Sequence, residues 1–323
     1  VFLLLAVVRL YLFSIGDMPS CLHPLPMWRR YKKDNGKWQL SSKLPLSRLS
    51  NPAPDVFVPC GKCLACRLNR RNEWVRRLQV ETWTNPDCGF ATLTYRDEDL
   101  PKDYMPCKHD VQCFIKRLRN VTRDYGINIG NLKYFIVSEF GSRRGRPHYH
   151  GVIYGIDFNL PCWRSHYICN KGKYPIYTSD LLSEIWRKGY VTIDSVTSSS
   201  LHYVAKYLTK SEKQDGLFCL YSRGIGKDFF VRDNSLTSNC LAAYDNGYVV
   251  YRAADNCFKG PLPKFVDRYA EKLAPDFFAS VKARRREFVC NHFSPLLPSE
   301  RERFIKSQMA RENQKERALD NAE

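Results

Sequence analysis

The chain has no apolar run of the ~20 residues that a helix needs to span a bilayer. The nearest approach, Val1 to Ile15, is broken by Arg9, Tyr11 and Ser14 and is too short. Its positive charge lies inside the run rather than ahead of it, which excludes an ordinary signal peptide. A soluble protein is expected. No internal repeat is present, which excludes solenoid architectures. Acid is scarce: 33 Asp and Glu stand against 51 Lys and Arg, giving a net charge of +18. That imbalance points to a polyanionic partner, nucleic acid first. The thirteen cysteines are an odd number in a chain of 323 residues. A secreted disulfide scaffold would be shorter and evenly paired, so reduced thiols in a cytosol are expected. With 44% apolar and 26% charged residues, the composition leaves no case for wholesale disorder. Val1 opens the chain and Met18 lies just downstream, so translation is expected to start at Met18 and residues 1–17 to be upstream read-through.

Residues 18–60, rich in Pro, Ser and basic residues, read as loops. Leu68 to Thr84 reads as a helix through Trp74, Leu78 and Glu81-Thr82, with an Arg-rich wet face. Phe90 to Tyr95 alternates as a strand. Val111, Phe114, Ile115, Leu118 and Val121 make one helical face over Asp110 to Tyr125, with Asp110 as N-cap. Leu132 to Phe140 and Pro147 to Tyr154 read as a hairpin turning at Gly141 to Gly145. Asp180 to Lys188, closed by Gly189, is helical. Tyr190 to Val196 is a strand and Ser198 to Lys210 a helix. The order β-α-β-β-α-β-α predicts an α+β fold, a split-βαβ, ferredoxin-like antiparallel sheet with helices on one face and the other free for a ligand. Residues 216–260 read as irregular strands and loops. Residues 262–319 read as charged helix, and the basic run Lys282 to Arg286 is expected to be a solvated face.

His148 and His150 carry the strongest chemical signal. Strand alternation puts both on one face about 7 Å apart, so their rings can converge on one cation. Glu139, at the end of the preceding strand, lies across the turn and can supply a carboxylate. Two imidazoles and a carboxylate leave positions open for water and phosphate oxygens and suit a divalent metal such as Mg²⁺ or Mn²⁺.

Tyr203, Lys206, Tyr207 and Lys210 repeat at spacings of three and four, which gathers them in one polar patch with Val204 and Leu208 on the buried side. A phenol with a pKa of ~10 is a poor nucleophile until deprotonated. Neighbouring ammonium groups and a divalent cation would favour the phenolate and neutralise charge on a phosphate. Cys60, Cys63 and Cys66 offer three thiolates where a structural zinc needs four, and Cys21 or His23 could complete the set. Zinc and plain reduced thiols both stay open on the spacing alone.

Together these motifs resemble a known family. Phe90-Ala-Thr-Leu-Thr-Tyr95, Pro147-His148-Tyr149-His150 and Tyr203-Val-Ala-Lys206-Tyr207-Leu-Thr-Lys210 resemble, in order, the three motifs of the HUH-superfamily rolling-circle replication initiators, with Tyr149 where the family has a bulky apolar residue. Pro59 to Arg67, Glu139-Phe-Gly141 and Ser222 to Gly226 are similar to the initiators of microviruses, particularly the gokushovirus branch. The resemblance spans about residues 18–230. It implies a site-specific, metal-dependent nicking and joining endonuclease acting in the cytoplasm of a bacterial host. Glu139, His148 and His150 would hold the metal. Tyr203 and Tyr207 would form 5′-phosphotyrosine links in turn, and Lys206 would sit near the phosphate or the phenolate. Arg144 and Arg146 would bind DNA backbone. Single-stranded DNA, a phage origin and the host helicase and polymerase would be partners. The implied organisation is an upstream extension (1–17), an N-terminal segment with the cysteines (18–86), a nuclease domain (87–215) and a helical C-terminal region (216–323). A non-haem iron oxygenase would use the same His-His-Glu set, and a non-catalytic DNA-binding protein would share the charge; neither accounts for the tyrosine helix.

Overall fold

The computed structural model describes residues 21–292 except 22, 33–37, 50, 51, 53, 128–131, 142–144, 211–214 and 253–256, and further on residues 303, 306, 307, 310 and 314. The upstream extension expected over residues 1–17 lies outside the described residues. Two compact units divide the chain: one contains Arg71–Val289, the other the described residues from Cys21 to Arg70 and those after Val289. No helix among the described residues is long and apolar enough to cross a membrane.

In the smaller unit, β1 (Leu25–Lys32) lies between β2 (Trp38–Ser41) and β3 (Val56–Val58), all antiparallel. The sequence predicts loops here. The strands are short and exposed along most of their length, so no buried face imposes the alternation by which strands are recognised. The helix α1 (Leu64–Thr84) begins four residues before the predicted Leu68.

The larger unit continues through β4 (Cys88–Tyr95), α2 (Lys108–Asp124), β5 (Lys133–Phe140), β6 (Pro147–Tyr154), β7 (Ser165–Lys171), β8 (Tyr174–Ser179), α3 (Asp180–Trp186), β9 (Gly189–Asp194), α4 (Ser198–Lys210) and β10 (Cys219–Tyr221). These strands form one antiparallel sheet in the order β10-β5-β6-β4-β9-β8-β7. Its centre, β9-β4-β6-β5 with α2 and α3 as crossovers, is the ferredoxin-like split-βαβ arrangement. The β7–β8 hairpin, which the sequence pattern does not predict, widens the sheet at one side, and the short β10 widens it at the other. Helix α2 starts at Lys108 with Cys107 as its N-cap. Asp110, expected as that cap, instead accepts a hydrogen bond from Tyr95 Oη at 2.9 Å. Helix α3 closes at Arg187, which adopts a left-handed φ of 64°, so Gly189 opens β9 rather than ending the helix.

Helices pack on both sheet faces, not one. Val111, Phe114 and Leu118 of α2 and Leu182 and Trp186 of α3 meet Leu93, Tyr149 and Ile153 on the first face. Trp74 and Leu78 of α1 and Leu201 and Val204 of α4 meet Phe135, Val152 and Tyr154 on the second. The reason is legible in the strands: Val152, Ile153 and Tyr154 are consecutive and all fully buried, so both faces need cover.

Beyond the sheet come β11 (Val231–Arg232), β12 (Ser235–Leu236), α5 (Ser238–Asn246), β13 (Val249–Arg252), β14 (Cys257–Gly260), α6 (Lys264–Leu273) and α7 (Pro275–His292). They build a further core with Val80 of α1. Helix α1 is therefore covered on two sides, and its expected wet face is not wet: Arg71 and Arg76 are buried, and Glu81 is only 1% exposed. Glu81 accepts hydrogen bonds from Lys133 Nζ at 3.0 Å and the Gly226 amide at 2.7 Å, while Lys133 also meets Asp228 at 2.7 Å. In the basic run, Lys282 pairs with Glu271, Arg284 with Asp245 and Arg285 with Asp267.

Candidate functional site

The register of β5 on β6 sets Glu139 opposite His148, and that of β4 on β6 sets Thr92 opposite His150. Alternation then turns Glu139, His148, His150 and Thr92 to one face, the one that α4 partly covers. His150 Nε2 lies 3.3 Å and His148 Nε2 3.6 Å from Glu139 Oε2. The far ring nitrogens are also occupied. His148 Nδ1 is 3.2 Å from the Arg146 carbonyl, which can only accept, so this nitrogen carries the proton and Nε2 keeps its lone pair. His150 Nδ1 is 2.9 Å from Thr92 Oγ1. Outer partners of this kind fix ring orientation and ligand basicity. Sequence reasoning misses Thr92, although it lies in the Phe90–Tyr95 stretch and shares the histidines' face by parity.

The three ligand atoms lie within 4.8 Å of one another. A divalent cation about 2.1 Å from each would give this spread, and the donor set of two imidazoles and one carboxylate suits Mn²⁺ or Mg²⁺. The residues present therefore fit a metal.

Helix α4 brings the phenols to the same place. Tyr203 Oη donates to Glu139 Oε2 at 2.5 Å, and Tyr207 Oη donates to Tyr203 Oη at 3.2 Å. The Tyr203 ring stands edge-on to His150 with centroids 5.3 Å apart. Burial alone would raise the Glu139 carboxyl, but hydrogen bonds from His148, His150, Tyr203 and Tyr207 outweigh it and hold the group ionised far below the usual carboxylate range. Burial, with the Glu139 charge and Tyr203 beside it, pushes the Tyr207 phenol well above its ordinary value.

The remaining expected residues fall as follows. Tyr207 is 2% exposed and Lys206 is 7% exposed, so the polar patch expected on α4 lies largely inside the protein. Lys210 closes α4, and its side chain lies outside the described residues, as does the whole of Arg144. Arg146 turns its guanidinium to Asp97 and, at 3.0 Å, to the Tyr95 carbonyl. Tyr149 points to the opposite face, where its hydroxyl lies 2.8 Å from that of Tyr95.

In the smaller unit, Cys21 joins Cys60, Cys63 and Cys66, with all four sulfurs within 4.8 Å of one another. His23 is exposed and is not part of the cluster. Cys21 Sγ and Cys63 Sγ are 3.9 Å apart, close to the ~3.8 Å edge of a tetrahedron with 2.3 Å zinc–sulfur bonds. Backbone amides point at the sulfurs, Cys60 N–H to Cys21 Sγ at 3.2 Å and Cys63 N–H to Cys60 Sγ at 3.4 Å. The amides of Cys63 and Lys62 bring the Cys60 thiol down to about 6, whereas burial pushes that of Cys66 up to about 12. The donor set fits a structural zinc.

Comparison with known proteins agrees with this arrangement. The sequence profile of a family described as replication-associated protein ORF2 matches residues 88–212. The chain is 30% identical to replication-associated protein VP4 of Bdellovibrio phage phiMH2K, over 74% of the chain and 77% of that protein. It is 30% identical to replication-associated protein ORF2 of Spiroplasma virus 4, over 84% of the chain and 86% of that protein. Replication-associated protein ORF4 of Chlamydia phage 1 is 30% identical over 47% of the chain and 38% of its own length. No solved structure matches.

Proposed function

Since the chain belongs to the family of phage replication-associated proteins, a microvirus-type initiator, we propose that it starts rolling-circle replication by cutting one DNA strand through a tyrosine. The supporting observation is the convergence of Tyr203 Oη, 2.5 Å from Glu139 Oε2, on the His148–His150 pair. A phenolate oxygen attacks the scissile phosphorus, forming a tyrosine O–P bond. The bond from phosphorus to the 3′ oxygen breaks, and that oxygen takes a proton to become the 3′-hydroxyl from which host polymerase extends. Glu139 holds the Tyr203 hydroxyl in place and orients its proton away from the substrate side. Tyr207, hydrogen-bonded behind it, is placed for the second transfer, which rejoins the displaced strand after one round. Glu139, His148 and His150 would hold Mg²⁺ or Mn²⁺, which supplies charge neutralisation on the phosphate oxygens. The thiolates of Cys21, Cys60, Cys63 and Cys66 would hold zinc with a structural role. The origin sequence and the host helicase are the partners this chemistry requires.

The test incubates the protein with Mn²⁺ and single-stranded DNA carrying its origin and looks for an SDS-resistant protein–DNA adduct. Wild type is expected to form it, and the variant Tyr203→Phe with Tyr207→Phe is not. An adduct on the double variant overturns the assignment of the nucleophile.

A further inference from the structure

The small sheet presents a face that neither ligand cluster explains. Leu25 pairs with Val58, Met27 with Val56 and Arg29 with Leu40, which alternation sets on one face. Between Arg29 and Lys32 the pairing with β2 slips by one residue, a bulge that carries an extra residue on β1. Lys32, opposite Trp38, thereby returns to the face of Arg29. The Arg29 guanidinium stands 5.7 Å from the centre of the Trp38 ring. Trp38 is 46% exposed and Leu25 44%, and Arg29 and Lys32 are exposed as well. Asp55, the neighbouring acid, is engaged elsewhere: it accepts the Arg29 backbone amide at 2.8 Å and the Arg48 guanidinium at 3.1 Å. Among the described residues, no ion pair neutralises the side chain of Arg29 or Lys32.

An open indole between two cations, on a chain of net charge +18, matches a polymer that offers flat π-faces and phosphates in alternation. A duplex hides its base faces, so the match is to an unpaired strand. We propose that this face is a second contact for single-stranded DNA, apart from the cutting site, with Trp38 stacking on a base and Arg29 and Lys32 meeting the adjoining phosphates. The identity of the polymer as DNA rests on the proposed function; the chemistry of the face does not. The cysteine cluster suits this role. Cys21 lies four residues before β1 and Cys60 two residues after β3, so the cluster pins both ends of the pair of strands and makes a rigid platform of a sheet with little core.

The experiment uses the full chain and a labelled thymidine oligonucleotide without the origin, in the absence of divalent cations, so that nothing is cut. Fluorescence anisotropy is expected to show binding weakened about 5- to 150-fold by Trp38→Ala, the range of one stacked base. Trp38→Phe, which keeps a π-face, is expected to retain most of the affinity. Arg29→Gln with Lys32→Gln is expected to reduce the slope of log affinity against log salt by about 1.4, at ~0.7 per contact on a single strand. Adduct formation at saturating origin DNA is expected to stay at the wild-type rate in all three variants. Unchanged affinity and salt slope throughout would overturn the proposal. So would an altered oligomeric state in sedimentation with DNA affinity intact, which would assign the face to a second copy of the chain. Because the probe is never cut, this result is independent of the tyrosine-variant test.

Discussion

Glu139, His148 and His150 offer one oxygen and two nitrogens on a sheet face, with two phenols drawn up against the carboxylate. Cys21, Cys60, Cys63 and Cys66 offer four sulfurs, with backbone amides turned toward them. The first set stops at three ligands and leaves room for a reacting group; the second has four and closes on itself. That is the physical difference between a site where chemistry happens and one that only holds the chain together. One chain thus contains both solutions, and each is built on the element that suits it. The open set sits on paired strands whose register is locked by a packed core. The closed set ties together loops and a three-stranded sheet that has little core of its own.

The contrast can be broken by exchanging the expected losses. The largest effect should follow removal of the thiolates. Cys63→Ser with Cys66→Ser is expected to remove one zinc per chain, and with it a stabilisation on the order of 10 kcal/mol, enough to unfold the smaller unit. Metal analysis and amide hydrogen exchange over β1–β3 would read this; unaltered protection in those strands would mean that the cluster is not a staple. Next comes a buried charge belonging to neither cluster. Lys133→Met leaves Glu81 without its cation and should cost about 3–5 kcal/mol of global stability in urea titration. A loss below about 1 kcal/mol, the size of an ordinary hydrogen bond, would show that the Gly226 amide alone satisfies Glu81.

His150→Ala is expected to leave folding nearly intact and to cut the nicking rate on the order of 10²–10³-fold, as for loss of a group that supports transition-state charge. Wild-type rates in single-turnover assays would remove this histidine from the site. The smallest effect should come from Thr92→Val, which keeps the shape and deletes the hydroxyl behind His150. Outer partners of metal-bound histidines are worth about 10- to 100-fold in metal affinity. The Mn²⁺ concentration for half-maximal nicking should rise by that factor while the rate at saturating Mn²⁺ changes little, and an equal loss at every Mn²⁺ concentration would argue for a different role.

The sheet's centre is readable because its strands and helices obey their own periods. Pro147–Tyr154 and Ser198–Lys210 begin and end where pattern alone places them. Glu139 is found because a hairpin carries residues at its turn into proximity, whatever the rest of the chain does. The elements that the pattern misses lack a local signature. The β7–β8 hairpin is mostly exposed, so its residues carry no alternation of burial. Helix α5 is short and holds its place through Cys240, Ala243 and Tyr244, contacts made by tertiary packing rather than by a visible stripe. The depth of Tyr207 is equally hidden, since an amphipathic pattern says which residues share a face but not what will lie on top of it.

The two rims of the large sheet differ in build and share a property. On one side, β10 is only three residues long; on the other, β7 is longer but kinked by a bulge between Tyr167 and Cys169. A rim of either kind is a poor template for another strand, because short or twisted edges offer few backbone groups in line. Many copies crowded along one template would otherwise be prone to join sheet to sheet. The irregular margins guard against that kind of clumping without help from the catalytic residues.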